Sequence, residues 1–239
     1  MSEKRIVLVT GASKGIGRAC ALELARSGAH VIALARSTAA LESLDDQIRK
    51  ETDENATLIT LDLKDFNMID RLAAPLLERF GRLDGLLGNA GVLGPIGPLQ
   101  MANPRSFDDT IAVNLSANWR LIRALDPLLR LSPAGRAVFI TSGAAIRPRA
   151  FWGPYQASKA GLEALVRAWA LETEQSALNI NLFDPGRTRT DMRFSAMPGE
   201  DKTLQTPPEL IAKAIAPYLS ETSQAHNQRI SYADLSSEG

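Results

Sequence analysis

Short apolar runs alternate with longer amphipathic segments along almost the whole chain. The apolar runs have the length of strands and are nearly continuous rather than alternating with polar residues: Ile6–Val9, Val31–Ala35, Leu58–Leu61, Leu83–Leu87, Ala137–Thr141, Asn179–Phe183 and Arg229–Tyr232. The segments between them carry apolar residues at helical spacing and predict helices over Ile16–Ser27, Leu41–Lys50, Met68–Phe80, Phe107–Leu129, Tyr155–Gln175 and Pro208–Leu219. Continuous apolar strands separated by helices indicate a parallel sheet that is covered on both faces.

Crossovers between parallel strands are almost always right-handed, so this alternation predicts one doubly wound α/β domain of the Rossmann type. We expect it to occupy residues 1–239, with a mainly parallel seven-stranded sheet and helices on both faces. The segment Arg189–Pro207 is long for a connection in a compact domain. It is predicted to be a lid over a substrate, the alternative being an irregular surface loop.

Composition narrows the possible partners. The chain of 239 residues carries 27 Lys and Arg against 27 Asp and Glu, so its formal net charge is zero. This balance argues against nucleic acid and anionic membranes as partners. No apolar stretch approaches the ~18 residues that span a bilayer, and we expect a cytoplasmic protein. Cys20 is the only cysteine, which excludes an intrachain disulfide and a cysteine-rich metal site.

A glycine-rich loop joins the first predicted strand to the first predicted helix. It is Thr10-Gly11-Ala12-Ser13-Lys14-Gly15-Ile16-Gly17, with the spacing GxxxGxG. Gly11 permits a tight turn, Gly15 permits close approach to a phosphate, and Gly17 permits close packing of helix on strand. The helix N-terminus then offers free N–H groups to a pyrophosphate. A three-glycine loop alone is a weak signal, but its position favours a dinucleotide site.

The end of the second predicted strand indicates which dinucleotide is bound. Sites for NAD usually carry an acid there that binds the ribose 2′-hydroxyl. Here the strand ends Ala35-Arg36-Ser37, and Lys14 lies in the neighbouring glycine loop. Two cations suit a 2′-phosphate, which a guanidinium can bind with two hydrogen bonds. We therefore expect NADP(H) to be preferred over NAD(H), the alternative being that both cations are solvated surface residues.

Tyr155 and Lys159 are four residues apart and so share one face of a predicted helix. Chance alone supplies such a pair in roughly one chain of this composition in ten, so the pair needs supporting residues. Ser142 follows a strand at the sheet edge where open α/β sheets bind ligands. Asn114 lies in the middle of a helix, where an amide has no helical advantage. Its alternative role is a hydrogen bond in the core.

In combination, these residues resemble the short-chain dehydrogenase/reductase family. The matching motifs are the TGxxxGxG loop at Thr10–Gly17, the end of an NNAG segment at Asn89-Ala90-Gly91, the tetrad Asn114, Ser142, Tyr155 and Lys159, and a PGxxxT segment at Pro185–Thr190. Gly88 replaces the first Asn of NNAG, and Thr188 replaces a residue that is usually aliphatic. The segments Arg147–Trp152 and Arg187–Pro198 are similar to a bacterial subgroup, the YciK-like oxidoreductases.

The resemblance implies an enzyme that interconverts a carbonyl and an alcohol by hydride transfer. Tyr155 would be the general acid/base, Ser142 would bind the substrate oxygen, and Asn114 would hold a water that links Lys159 to solvent. The ammonium of Lys159 is expected to lower the pKa of Tyr155 and to bind the nicotinamide ribose. The implied cofactor contacts are Gly11, Ser13, Lys14, Gly15, Ile16, Gly17, Arg36, Ser37, Asp62, Leu63, Asn89, Ala90, Gly91, Tyr155, Lys159, Pro185, Gly186, Thr188 and Thr190.

Two other functions are compatible with the same residues. One is a dehydratase or epimerase that keeps the Tyr–Lys pair, and the other is a non-catalytic NADP-binding sensor. The substrate is expected to be a small molecule that is partly apolar, because Phe151, Trp152 and Met192 flank the site. Arg147 and Arg149 would bind an acidic group or make subunit contacts. The family implies a homotetramer or homodimer. No metal is expected, since His30 and His226 lack ligand spacing and are predicted to be surface residues.

Overall fold

Within residues 4–237, seven strands form one parallel sheet, with the order β3-β2-β1-β4-β5-β6-β7. The computed structural model describes residues 4–237. The strands are β1 (Ile6–Thr10), β2 (His30–Ala35), β3 (Thr57–Thr60), β4 (Gly85–Gly88), β5 (Arg136–Ile140), β6 (Asn179–Asp184) and β7 (Arg229–Ser231). The order reverses between β1 and β4, which are neighbours in the sheet, and this creates the crevice where open α/β sheets bind ligands. The predicted doubly wound Rossmann-type fold is confirmed.

Helices cover both faces of the sheet. They are α1 (Gly15–Arg26), α2 (Thr38–Thr52), α3 (Phe66–Asp70), α4 (Ala73–Phe80), α5 (Pro104–Ile111), α6 (Ala117–Arg130), α7 (Gly153–Glu172), α8 (Asp191–Ala196), α9 (Pro208–Ile215) and α10 (Tyr232–Ser237). Short 3₁₀ turns lie at Leu99–Met101, Gly143–Ala145, Lys202–Leu204 and Ala216–Leu219. Among residues 4–237, no helix is long and apolar enough to cross a membrane.

The period-two geometry of a strand divides the core into two clusters. Ile6 and Leu8 of β1 face one cluster, which includes Leu121 of α6 and Leu162 of α7. Val7 and Val9 face the other cluster, which α1 and α9 cover. Strands that are buried on both faces explain the continuous apolar runs in the sequence.

The predicted helix Met68–Phe80 is wrong in its continuity. The structure has α3 and α4 instead. Between them, the N–H groups of Arg71 and Leu72 donate to the carbonyls three residues earlier, as in a 3₁₀ turn. Pro75 gives the reason, because it has no N–H to donate to the carbonyl of Arg71 and its ring crowds that carbonyl.

The predicted helix Phe107–Leu129 is interrupted by a π turn. The helix begins at Pro104, behind the capping residue Asn103, and widens over Ala112–Ser116 before α6 continues it. The side chain of Asn118 donates to the carbonyl oxygen of Asn114 at 2.9 Å. Such single π turns are frequent at functional sites, and this one is centred on Asn114.

Neither histidine is the ordinary surface residue that was predicted. His30 Nε2 lies 2.9 Å from the hydroxyl of Thr57, and its ring packs on Phe80. His226 joins two elements, since its Nδ1 accepts from the N–H of Ile180 at 3.3 Å and its Nε2 donates to the carbonyl of Ala170 at 2.9 Å. Within residues 4–237, no group of three His, Cys, Asp or Glu side chains could hold a metal ion.

Candidate active site

A cleft of about 910 Å³ opens at the carboxyl ends of the central strands. It brings together most of the residues that the sequence predicted to bind cofactor or substrate. The predicted residues that line it are Gly11, Ser13, Lys14, Gly15, Ile16, Arg36, Asp62, Leu63, Asn89, Ala90, Gly91, Ser142, Tyr155, Lys159, Pro185, Gly186, Thr188 and Thr190. Gly17, Ser37 and Asn114 do not line it, and each has a supporting role instead.

The glycine loop has the geometry of a phosphate cradle. Gly11 and Gly15 have φ angles of 66° and 56°, in the left-handed region that favours glycine. A Cβ on Gly17 would lie 2.3 Å from the carbonyl oxygen of Gly11 and 2.4 Å from Asn89 Nδ2. The side chain of Lys14, at the N-cap of α1, does not cap the first turn of the helix. The helix N-terminus is therefore suited to bind a pyrophosphate, and the residues fit a dinucleotide cofactor.

Thr10 and Asn89 hold the two sides of the crevice together. The Thr10 hydroxyl donates to Leu87 O at 3.2 Å and accepts from the N–H groups of Asn89 and Ala90, each at 3.0 Å. Asn89 Nδ2 donates to Thr10 O at 2.9 Å. These bonds fix the spacing between the ends of β1 and β4. Thr10 belongs to the glycine-loop motif, but the sequence did not single it out as a positioning residue.

The residues predicted on the 2′ side differ in their roles. Arg36 is exposed and lines the cleft. Ser37 caps α2 by accepting from the N–H of Ala40 at 3.3 Å. Lys14 Nζ lies 3.1 Å from Asp191 Oδ2 at the start of α8, so it links the glycine loop to the predicted lid. This ion pair is exposed, and pairs of this kind are weak enough to exchange for a ligand.

Asp62 and Leu63 lie where β3 leads into α3. Asp62 Oδ1 accepts from the N–H of Lys64 at 3.0 Å, which orders the turn, and Leu63 is buried. Both residues line the same cleft as the glycine loop. Because β3 pairs with β2, these residues lie on the side of the cleft where Arg36 follows β2.

Tyr155, Lys159 and Ser142 meet at one end of the cleft. Tyr155 and Lys159 are one turn apart on α7, and both are buried. Lys159 Nζ donates to the carbonyl of Ile140 at 2.7 Å, which ties α7 to the end of β5. Gly91 lies opposite, and a Cβ there would be 3.7 Å from Lys159 Nζ. The ring of Trp152 packs edge-on against Tyr155, with 5.8 Å between ring centroids.

The pKa values of the pair differ from the sequence expectation. Burial raises the pKa of Tyr155 to about 12; a hydrogen bond with Ser142 lowers it in part, and Asp184 raises it further. The expected lowering of the Tyr155 pKa is therefore not seen in this structure, because burial dominates. Burial lowers the pKa of Lys159 to about 8, although the carboxylates of Glu163 and Asp184 oppose the change.

Asn114 lies beneath the cleft, completely buried in the π turn. Its Oδ1 accepts from the N–H of Val92 at 2.8 Å, and its Nδ2 donates to Val92 O and to the hydroxyl of Ser158, each at 2.9 Å. The amide thus joins the loop after β4 to α7, the helix that carries Tyr155 and Lys159. This is the core hydrogen-bonding role that was the alternative in the sequence.

The segment after β6 forms a tight turn at the cleft. Asp184 Oδ1 accepts from the N–H of Gly186 at 3.1 Å. The N–H of Thr188, one of the implied cofactor contacts, donates to Gly186 O at 3.1 Å, and the Thr188 hydroxyl donates to Pro185 O. Thr188 is buried, and the bond from its hydroxyl to Pro185 O gives a partner to the polar group that replaces an aliphatic residue here.

The segment Arg189–Pro207 is pinned at its base. The N–H of Arg189 donates to Thr206 O at 2.9 Å, and the N–H of Thr206 donates to Arg187 O at 2.8 Å. Above this base, α8 stands over the cleft, and Arg193 forms a largely buried ion pair with Glu200. The segment is therefore an ordered unit with a narrow base.

A buried ionic network behind the site was not predicted. Glu163, one turn beyond Lys159 on α7, accepts from the hydroxyl of Thr141 and from Arg229. Arg229 also donates to Asp184 Oδ2. Asp184 ends a strand at the binding edge of the sheet, which is a signal that sequence reasoning could have used. Arg229 has no comparable local signal.

These features define a doubly wound α/β protein with a Tyr–Lys pair at the edge of a cleft that fits a dinucleotide. The model of the short-chain dehydrogenase family matches residues 5–201. The chain belongs to this family. The resemblance found in the sequence is confirmed, and the protein is an oxidoreductase of this class.

Curated relatives of known sequence agree with this assignment. The chain is 42 % identical to the oxidoreductase YciK of Escherichia coli K12 over 210 residues, which cover 87 % of this chain and 83 % of that protein. It is 36 % identical over 219 residues to a sepiapterin reductase of Chlorobaculum tepidum, with 89 % and 88 % covered. A short-chain dehydrogenase of Escherichia coli CFT073, solved in complex with NADPH, superposes with a TM-score of 0.91 at 37 % identity, covering 95 % of each chain.

Proposed function

We propose that this protein is an NADP(H)-dependent oxidoreductase that interconverts a small carbonyl compound and its alcohol. The observation that carries the proposal is the convergence of Ser142, Tyr155 and Lys159 on the cleft that the glycine loop borders. When bound, the nicotinamide cofactor supplies or accepts the hydride. The chain must therefore bind the substrate oxygen and hold or accept one proton.

Tyr155 is the proton donor in the direction of reduction. Its raised pKa keeps the hydroxyl protonated at neutral pH, which suits proton donation to a carbonyl oxygen. Ser142 donates a hydrogen bond to the same oxygen as negative charge develops there. Lys159 orients the cofactor ribose and, while it is charged, stabilises tyrosinate after the proton has left. Asn114 holds α7 and the loop after β4 in register.

The preference for NADP(H) rests on Arg36. It lies on the cleft where β2 ends, and no acid stands there to bind a 2′-hydroxyl. A guanidinium at this position suits a 2′-phosphate. Lys14 forms only an exposed ion pair with Asp191, which it can exchange for a bond to the phosphate. The NADPH complex of the related Escherichia coli dehydrogenase supports the same cofactor.

The substrate we propose is partly apolar and carries its carbonyl next to a flat ring. Trp152, which packs against Tyr155, and Met192 of α8 both line the cleft, and both suit contact with a flat, polarizable surface. Phe151 has a φ of 72°, a strained conformation for a bulky residue, and its carbonyl accepts from the N–H of Gly97 at 3.0 Å. The sepiapterin reductase relative makes pterin carbonyls the first compounds to test.

The segment Arg189–Pro207 closes over this substrate as a lid.

The chain assembles as a homotetramer or homodimer in the cytoplasm. Exposed Trp119 on α6 and Leu171 on α7 support self-association, since large apolar residues are exposed on both helices. Light scattering at several concentrations checks the assembly, and a monomer at all of them contradicts it.

A panel of carbonyl compounds, followed by NADPH absorbance, tests the activity. The variant Tyr155→Phe should keep NADPH binding and lose nearly all turnover. Tyr218→Phe is the matched control, because Tyr218 packs on Phe183 in the core and should keep full turnover. Turnover of Tyr155→Phe within tenfold of the wild type rules out this tyrosine as the essential acid. Product formed without net cofactor consumption would indicate a dehydratase or epimerase, and NADPH binding without product a sensor.

A further inference from the structure

Arg229 joins three elements that border the proposed active site. Its Nε donates to Glu163 Oε1 at 2.9 Å, on α7. Its Nη2 donates to the carbonyl of Ser142 at 3.1 Å and to Asp184 Oδ2 at 3.0 Å, at the ends of β5 and β6. A rigid guanidinium can bind several oxygens in one plane, which a lysine cannot do. One side chain of the last strand therefore fixes the relative positions of α7, β5 and β6.

The network is shielded from water, so its charges act strongly on their neighbours. The side chains of Arg229, Glu163 and Asp184 are 14 %, 9 % and 12 % exposed. Glu163 also accepts from the hydroxyl of Thr141 at 2.7 Å, in the residue before Ser142. Ser142 is thus held from both sides, through its own carbonyl and through its neighbour.

The charges around Lys159 balance within this network. The charged groups that act on the Tyr155–Lys159 pair from the packed elements are Glu163 of α7 and Asp184 of β6, and Arg229 of β7 binds both carboxylates. Across the cleft, the lid and its base add Arg189, Asp191 and Arg193. Glu163 and Asp184 carry two negative charges, and Arg229 and Lys159 carry two positive ones.

We propose that Arg229 is a positioning residue for the reaction, which holds Ser142 in place and offsets the charge that Glu163 and Asp184 exert on Lys159. This inference rests on the proposed oxidoreductase function. The two carboxylates overcome the cost of burial and raise the pKa of the Arg229 guanidinium, so the balancing charge is permanent. Removing Arg229 leaves an excess negative charge beside Lys159, whereas neutralising Asp184 leaves an excess positive one.

The direct test is a measurement of the pKa of Lys159 in the cofactor-free protein. The NMR signals of its Cε and Nζ are followed as the pH changes, and they are assigned by their absence in Lys159→Arg. Arg229→Met should raise this pKa by about one unit, and Asp184→Asn should lower it by about one unit. Asn keeps the oxygen that accepts from Gly186, so the turn is preserved. Shifts in the same direction, or no shift in either variant, overturn the proposal.

Arg136→Met is the control for a merely structural effect. Arg136 is also buried and bonds to the carbonyls of Gly135, Ala177 and Glu221. It begins β5, however, and so lies at the amino ends of the strands, away from the cleft. Its loss should lower stability without moving the pKa of Lys159. If Arg229→Met does not fold, Arg229→Lys and Asp184→Asn decide. A Lys159 pKa close to the wild-type value in Arg229→Lys and a lowered Lys159 pKa in Asp184→Asn support the proposal. Any other pattern overturns it.

Kinetics separate positioning from binding. Arg229→Met should lower kcat for carbonyl reduction by about tenfold or more, because Ser142 loses its anchor. The Kd for NADPH should stay within about threefold, because the glycine loop is far from β7; Arg229→Lys should recover part of the kcat. If the wild type reduces no carbonyl compound, the proposed function fails, while the Lys159 titration still tests the charge balance.

Discussion

Asn114 Nδ2 lies 2.9 Å from the hydroxyl oxygen of Ser158, which joins the π turn to the catalytic helix. The same Ser158 hydroxyl donates to the carbonyl of Tyr155 at 2.7 Å. The amide that the sequence marks as unusual in a helix therefore reaches the backbone of Tyr155 through one hydroxyl. The π turn places this amide inward, because the extra residue rotates the helix at that point.

We expect Asn114→Ala to lower the free energy of unfolding by about 2 kcal/mol, since Val92 and Ser158 lose buried partners. Ser158→Ala should lower the free energy of unfolding by less. The loss in the double variant should be smaller than the sum of the two single losses by about 1 kcal/mol. Urea unfolding of the four proteins measures this coupling. Strict additivity would show that the two side chains do not act together.

Gly17→Ala should disrupt the cofactor cradle. Its new Cβ would lie within 2.4 Å of both Gly11 O and Asn89 Nδ2, and neither can move without breaking the contact between β1 and β4. We expect a loss of about 2 kcal/mol of stability and of most NADPH affinity, measured by unfolding and by fluorescence titration. Gly97→Ala is the control, because a Cβ there meets no atom within 4 Å. Normal NADPH binding by Gly17→Ala would contradict the assignment of the cradle.

Local patterns in the sequence were enough to predict the sheet, the glycine loop and most of the residues that the structure brings together at the cleft. The apolar runs mark strands because both faces of this sheet are buried, and the spacing of Tyr155 and Lys159 is a property of one helix. The broken helix at Arg71 and the π turn at Asn114 depend on hydrogen bonds that choose between close alternatives. Periodicity of apolar residues does not distinguish those alternatives.

The network behind the site is invisible to local pattern for a different reason. Glu163 and Arg229 are 66 residues apart in the chain and meet only because β7 closes the sheet beside β6. The pKa of Tyr155 was misjudged on the same ground. The sequence shows its neighbour Lys159, but it does not show that burial of the hydroxyl outweighs that neighbour.

Arg36→Ala should convert the cofactor preference. Loss of a charge-assisted contact to the 2′-phosphate should lower kcat/KM for NADPH by about tenfold to a hundredfold, and kcat/KM for NADH should hardly change. Arg18→Ala is a useful comparison, because Arg18 also lines the cleft but is bonded to Ala40, Ser43 and Gln47 of α2. Equal use of NADPH and NADH by the wild type would contradict the NADP preference.

Glu200→Gln should loosen the lid. Glu200 binds Arg193 and Gln205 inside the segment Arg189–Pro207, so its charge holds α8 over the cleft. We expect faster tryptic cleavage within this segment and a higher substrate KM, with little change in Tm, since lids belong to the least stable parts of a fold. Glu78→Gln, an exposed acid on α4, is the control. Unchanged cleavage and KM would leave the lid without support.

The pH profile of carbonyl reduction should report Lys159. Tyr155, with a pKa raised to about 12, stays protonated through the neutral range and supplies the proton throughout it. Lys159 has a pKa lowered to about 8, so its charge is present below that pH and is lost as the pH rises through it. Because kcat/KM reports the free enzyme, it should fall above about pH 8. The variant Lys159→Arg, whose guanidinium stays charged, should be slower and lack this fall. A wild-type rate that rises through the same interval would show that a different group controls the reaction.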